Sequence, residues 1–207
     1  VKPEFFVLEN VKGLLTLNNG KFKEDIVERF TKLGYIVDYK ILNSADYGVP
    51  QNRNRVFFVG IKNKKFKFPK EKSKKVTTYE AISDLTSYED KYTTSAQTSY
   101  QKNMRGNNKQ LKNNEFTVHT EKTIDVISKI PDGGKITDLP KEFWEIRKYN
   151  KAFQRMNSKL QSNTIDTGHR NYFHYSENRI PTVRESARIQ SFPDKVLPVF
   201  SLEFSFL

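Results

Sequence analysis

From Glu4 to Glu9 the chain reads Glu-Phe-Phe-Val-Leu-Glu, an apolar run closed by a carboxylate at each end. An unbroken run of this length predicts a strand buried on both faces of a parallel sheet. Phe22, Ile26, Val27, Phe30 and Leu33 then recur at helical spacing over residues 21–32, and Gly34 stands where a left-handed residue would end a helix. Tyr35 to Leu42 and Val56 to Ile61 predict two more strands. Strand, helix, strand is a crossover unit, so an α/β sheet is expected. The connection from Asn43 to Arg55 is polar and too long for a hairpin turn, and ordered connections of that kind tend to carry function.

Beyond the third strand the pattern changes. Residues 62–75 hold eight Lys and one Glu, which reads as a solvated linker or as a run that touches phosphate. Thr77-x-x-Glu80 is a capping box opening a short helix through Leu85. Thr86 to Asn114 is rich in Ser, Thr, Asn, Gln and Lys with few apolar residues and reads as loop or as a weakly cored insertion. Ile124, Ile127 and Ile130 share one face of a helix over residues 120–130, closed by the turn Pro131-Asp-Gly-Gly134. A second capping box, Thr182-x-x-Glu185, opens a helix expected to run until Phe192-Pro193 stops it. No repeat or heptad run is present.

Composition narrows the chemistry. Zero cysteines in 207 residues exclude disulfides, Cys-ligated metal sites and a thiol nucleophile supplied by this chain. With 16 Phe, 10 Tyr and 36% hydrophobic residues a real core is expected. The net charge of +12 favours a polyanionic partner. No stretch approaches the roughly 20 apolar residues of a membrane span, and the start lacks a signal-peptide layout, so a soluble cytoplasmic protein without a membrane partner is expected. His119, His169 and His174 have no clustered carboxylates near them in sequence, so no metal site is expected. The chain starts without Met inside an apparent strand, which suggests part of a longer protein.

Three motifs stand in order: Glu9-Asn10-Val11 at a strand end, Gln51-Asn-Arg53-Asn-Arg55 before another strand, and Thr182-Val-Arg184-Glu185-Ser-Ala-Arg188-Ile-Gln190-Ser-Phe-Pro-Asp194. Together with Ala81-Ile-Ser-Asp-Leu85, Ile130-Pro-Asp-Gly-Gly134 and Ser162-Asn-Thr-Ile-Asp-Thr-Gly-His169, they resemble the C-terminal part of the DNA cytosine-5 methyltransferases, from Pro3 to about Asp194. The resemblance implies an α/β fold: a partial Rossmann-like methyltransferase sheet plus a small mixed target-recognition domain. The expected organisation is catalytic sheet at 1–62, basic linker at 63–76, target-recognition region at 77–180, motif helix at 181–194 and an atypical tail at 195–207. The family's Phe-x-Gly-x-Gly loop for S-adenosyl-L-methionine, its Pro-Cys motif and its C-terminal Gly-Asn helix are not in this sequence. The tail's departure after Asp194 suggests truncation or a frameshift.

The family makes the poor nucleophile C5 reactive by adding a thiolate to C6, with negative charge developing toward N3. The resemblance places Glu9 at N3, where a buried carboxyl would suit proton donation. It places Arg55 at the carbonyl O2, with Arg53 organising the site or a phosphate. Read without the resemblance, Glu9 caps a strand or pairs with a nearby Arg, and the arginines are exposed loop residues. Gln51, Arg105, Asn107, Asn108, His169 and Arg170 are candidates for contact with DNA base edges, or belong to polar loops without such contact. Asn10, Arg184, Glu185, Arg188 and Gln190 are expected to shape or seat their motifs. The implied partners are double-stranded DNA with a flipped base and an N-terminal segment or partner subunit carrying the Cys. The setting would be restriction-modification in a bacterial or phage-encoded context. A split-enzyme subunit and a non-enzymatic basic DNA-binding module remain as alternatives.

Overall fold

A computed structural model describes residues 3–87, 89–146, 153–166 and 172–197. They form two compact units, Val1–Gly48 with Asn52–Lys74, and Val49–Gln51 with Lys75–Leu207.

The first unit is a three-stranded sheet with one long helix. Strands β1 (Phe5–Val11), β2 (Ile36–Asn43) and β3 (Asn54–Ile61) lie in the order β1-β3-β2. Helix α1 (Lys21–Lys32) joins β1 to β2. Both outer strands pair antiparallel to β3, with Val11 opposite Arg55 and Asn43 opposite Asn54. The crossover unit is therefore present but split, because β3 enters between its two strands. This corrects the expectation of parallel pairing for the first strand. The expected double-sided burial is corrected as well: β1 has one neighbour, and Phe5, Val7 and Val11 are 62%, 58% and 53% exposed. The opposite face of β1 packs on aromatic side chains, with Phe6 stacked on Phe30 at 4.0 Å and edge-on to Tyr35 at 5.2 Å. That packing requires Gly60 on β3, since a Cβ there would lie 2.0 Å from the Phe6 ring.

The second unit is built from short elements around two apolar clusters. Helix α2 (Thr78–Ile82) starts on the Thr77/Glu80 capping box and ends three residues earlier than the sequence suggests. Helix α3 (Ser99–Arg105) lies in the stretch expected to be loop and has its own capping box, Thr98 with Gln101. Helix α4 (Glu121–Lys129) buries Val126 and Ile127 and leaves Ile124 39% exposed. Strands β4 (Gln154–Arg155) and β5 (Tyr172–Phe173) form a two-residue parallel pair. Helix α5 (Val183–Ile189) opens on the Thr182/Glu185 box but stops before Pro193, because Ser191 takes a left-handed conformation at φ 65°. One cluster centres on Ile127, Ile130 and Phe173, and the other on Ile82, Leu85, Met156 and Ile189. No helix among the described residues is long and apolar enough to cross a membrane.

Arg155 holds the first cluster's polar boundary, a role with no signal in sequence. Its buried guanidinium donates to the carbonyls of Ile127, Ile130, His174 and Glu177 and to the side chain of Asn178, at 2.5–2.9 Å. Three chain segments therefore meet on one planar fork, which adds a second donor to the Ile127 carbonyl and supplies one to the carbonyl of Ile130 just past α4.

Candidate functional site

The antiparallel register of β1 and β3 brings two of the motif residues together. Glu9 lies opposite Phe57, and Arg55 lies opposite Val11, so Glu9 and Arg55 are diagonal neighbours on one face of the sheet. Arg55 Nε and Glu9 Oε1 form an ion pair at 2.9 Å, and Arg55 Nη1 donates to the Asn54 carbonyl at 2.9 Å. The Arg55 side chain is 21% exposed and that of Glu9 46%, which corrects the expectation of a buried carboxyl. Exposure follows from the same cause as the bare apolar residues of β1: an edge strand has cover on one side only. Asn10 turns its Oδ1 to the N–H of Val11 at 2.8 Å.

Arg53 sits one residue before β3. Its N–H donates to Asn43 Oδ1 at 3.0 Å and its carbonyl accepts from Ser44 N–H at 3.1 Å. The long connection begins as a 3-10 turn over Ser44–Tyr47, closed by Gly48 at φ 90°. Gln51 belongs to the second unit, where it is 2% exposed and bridges to Ser162.

The remaining base-contact candidates have varied surroundings. Arg105 Nη2 donates to Asp84 Oδ2 at 2.5 Å and to the Thr94 carbonyl at 2.9 Å, and its guanidinium lies 3.8 Å from the Tyr92 ring centre. Asn107 is exposed, and Asn108 donates to the Gln110 carbonyl at 2.6 Å. His169 and Arg170 lie outside the described residues. Among the described residues, no group of three or more His, Cys, Asp or Glu side chains is arranged to hold a metal.

The motif helix α5 carries three fully buried charged side chains. Arg188 bonds to both oxygens of Asp194 at 2.6 and 2.7 Å, to Asp84 Oδ1 at 2.8 Å and to the Ala81 carbonyl at 2.9 Å. Burial would weaken the Arg188 charge, but its bonds to Asp194 and Asp84 outweigh burial and raise its pKa. Tyr92 O–H donates to Asp194 at 2.6 Å, and burial with that bond pushes the phenol up to about 12. Arg184 donates to the carbonyls of Lys112 and Val196 at 3.0 and 2.9 Å. Glu185 takes a two-point grip from Arg179 at 2.7 and 2.8 Å and also accepts from Thr182 N–H. Gln190 is exposed and donates to the Ser186 carbonyl.

His174 sits against this group, 3.7 Å from Glu185. Its Nδ1 accepts from the N–H groups of Ser176 and Glu177 at 3.2 and 3.1 Å, so the proton of the neutral ring is on Nε2. Burial is the largest influence and lowers its pKa below 6.5, against the opposing pull of Glu185. In the window below 6.5 the unfolded chain binds the proton more readily, so stability is full above that pH and falls as pH drops. We expect the urea midpoint to fall between pH 7 and pH 5, with a slope of at most about 1.4 kcal/mol per pH unit from one proton. His174→Asn should flatten that segment, because Asn keeps an acceptor and does not titrate. An unchanged slope in the variant would assign the effect elsewhere.

Across residues 1–205 the chain matches the family described as C-5 cytosine-specific DNA methylase. It is 36% identical over 194 residues to the Type II methyltransferase M1.HphI of Haemophilus parahaemolyticus, covering 93% of this chain and 48% of that protein. It is 34% identical over 221 residues to the Type II methyltransferase M.DdeI of Desulfomicrobium norvegicum, covering 93% of this chain and 53% of that protein. The chain thus spans about half the length of these curated relatives. A solved E. coli structure, described as a candidate DNA modification methyltransferase encoded within a prophage, superposes with a TM-score of 0.74 at 20% identity. The alignment covers 93% of this chain and 60% of that one and is a likeness of fold.

Proposed function

Because the chain belongs to the C-5 cytosine-specific DNA methylases, we propose that it supplies the base-holding and target-recognition part of cytosine-5 methylation in duplex DNA. The observation that carries this reading is the Glu9–Arg55 contact at 2.9 Å. Cytosine presents N3 and O2 on one ring edge, one carbon apart. A carboxyl and a guanidinium already in contact match that pair of atoms, Glu9 toward N3 and Arg55 toward O2. Attack at C6 moves electron density toward N3, and a proton held there by Glu9 stabilises it. Arg55 keeps its charge throughout and orients the ring through O2. A base within a duplex exposes neither C5 nor C6 to attack from above, so the target base must leave the stack to reach this face.

The sequence has no Gly-x-Gly loop, and Gly20, Gly34, Gly48, Gly106 and Gly133, at positive φ, all lie in or beside turns or helix ends. We assign the binding of S-adenosyl-L-methionine to a segment outside these 207 residues. The same segment must bring the thiolate, since this chain has no Cys. On the face that carries Glu9, the exposed Phe5 and Val7, at the end of β1 away from Arg55, support a surface that such a segment covers while Glu9 and Arg55 stay open to the base. The relatives are Type II methyltransferases, and we place this chain in the modification arm of a restriction-modification system.

The test is complementation. The chain is co-expressed with the part of M1.HphI that it does not match, and DNA is assayed for labelled methyl on cytosine C5. Transfer is expected from the pair and not from the chain alone. Methyl transfer by the isolated chain would refute the assignment of nucleophile and cofactor to another segment.

A further inference from the structure

The loop that leads into Arg53 and Arg55 is closed at its neck by a side chain that no motif contains. Asn43, the last residue of β2, accepts through Oδ1 from the N–H of Ala45 at 3.3 Å and from the N–H of Arg53 at 3.0 Å. Its Nδ2 donates to Asn52 Oδ1 at 3.0 Å. One amide therefore binds the first turn of the excursion and both residues that end it. Farther out the excursion has ties of its own, from Lys72 N–H to the Asp46 carbonyl at 2.7 Å and from Tyr47 O–H to the Pro69 carbonyl at 3.5 Å. The β2–β3 pairing beyond the neck is ordinary ladder, with Leu42 opposite Arg55.

These outer and inner supports leave the neck as the place where Arg53 is set. Arg53 lies outside the strand; its carbonyl is held by the Ser44 N–H at 3.1 Å, and its N–H, which the ladder does not fix, finds its acceptor in Asn43. We infer that Asn43 is a positioning residue for the two arginines. By holding the Arg53 backbone it fixes the point at which the chain enters β3, and so the angle at which Arg55 reaches Glu9 and the base. Asn suits the position because it is short, has a fixed planar amide, and accepts and donates at once. Ala would leave the Arg53 N–H without its acceptor. Asp would keep the acceptor for Ala45 and Arg53 and lose only the donor to Asn52. The inference rests on the base-holding role proposed above.

Two measurements test it, one of which does not depend on that role. In the 207-residue chain, Asn43→Ala should speed amide hydrogen exchange at Arg53 by about tenfold, the factor that one ordinary net hydrogen bond represents. Amides of Val56 and Phe58 in the middle of β3 should stay protected and serve as the control for folding. In the complemented pair, Asn43→Ala should lower kcat by about a hundredfold, the scale set by a small misplacement of a reacting contact, and raise KM for DNA in the same direction as, but by less than, loss of Arg55 itself. Asn43→Asp should recover most of both losses. In an Arg55→Ala background Asn43→Ala should add no further loss, whereas independent damage to the fold would add.

Unchanged exchange at Arg53 with an intact β3 overturns the inference whatever the activity. Faster exchange without a loss of kcat, in a pair that still depends on Arg55, overturns it while leaving the base-holding role in place. Activity that is indifferent to Arg55→Ala overturns both.

Discussion

Arg188→Met is expected to destabilise the second unit by about 3–5 kcal/mol, the range for breaking a buried ion pair from one side. The guanidinium is fully enclosed, and so are the carboxylates of Asp84 and Asp194 on either side of it. Met fills much of the volume and removes the charge, which leaves two buried carboxylates facing one another across a gap. Arg105 still reaches Asp84 and Tyr92 still reaches Asp194, so the loss is large without being total. Arg184→Met is the comparison, because Arg184 is as deeply buried on the same helix but bonds mainly to carbonyls. Its loss should be nearer about 1–3 kcal/mol, the desolvation of neutral acceptors left without donors.

The pH dependence separates a lost ion pair from lost packing. Burial would raise the Asp194 pKa, but its bonds to Arg188 outweigh that and hold it below 3.8. In the parent chain this contribution is present above 3.8 and disappears as pH falls through the lower, folded value. Without Arg188 the balance reverses, since burial then favours the protonated acid and acid relieves the strain of two facing charges. The gap between Arg188→Met and the parent should therefore narrow as pH falls toward 4. Urea titrations read by the lone Trp144, whose indole N–H donates to the Leu139 carbonyl, give both midpoints. A gap that stays constant with pH would assign the loss to packing alone.

This network also explains what sequence did and did not reveal. The capping boxes at Thr77/Glu80 and Thr182/Glu185 were legible because each pairs residues three apart, so the chemistry is local. Thr98/Gln101 is the same device, but a single i,i+4 pair, Tyr100 and Met104, is all the apolar pattern α3 offers within a polar stretch, too little to mark a helix. Arg105 read as a candidate for base contact because its partners are remote: Asp84 is 21 residues away and Thr94 is 11. Arg188 and Asp84 are 104 residues apart, and no pattern of period two or 3.6 links them. The apolar run of β1 marks a strand, while its burial depends on neighbours in space. Glu9 and Arg55 are a different case. Motif order and resemblance point to both, and the sheet register puts them on one face, which neither residue's local sequence implies.

Glu9→Gln in the complemented pair should lower the rate of methyl transfer by about 10²–10⁴-fold, the usual contribution of a positioned proton donor. Gln keeps the size of Glu and still offers polar atoms to the base edge, so DNA affinity should change little. Its amide N–H can hydrogen-bond N3 but has no acidic proton to give it, and the neutral amide cannot answer the charge of Arg55. The competing account of Glu9, a strand-end carboxylate that pairs with an arginine, makes a quantitatively different forecast. A half-exposed pair of this kind contributes about 0.2–1 kcal/mol to stability, and its loss would shift the urea midpoint slightly while leaving turnover intact. Rate and stability thus move apart under the catalytic account and remain nearly unchanged together under the structural one. Arg55→Gln extends the comparison, because the guanidinium is assigned to holding the base: both KM for DNA and kcat should suffer. A variant pair in which Glu9→Gln costs only stability and Arg55→Gln only DNA affinity would remove Glu9 from the chemistry and leave the arginine as a DNA contact.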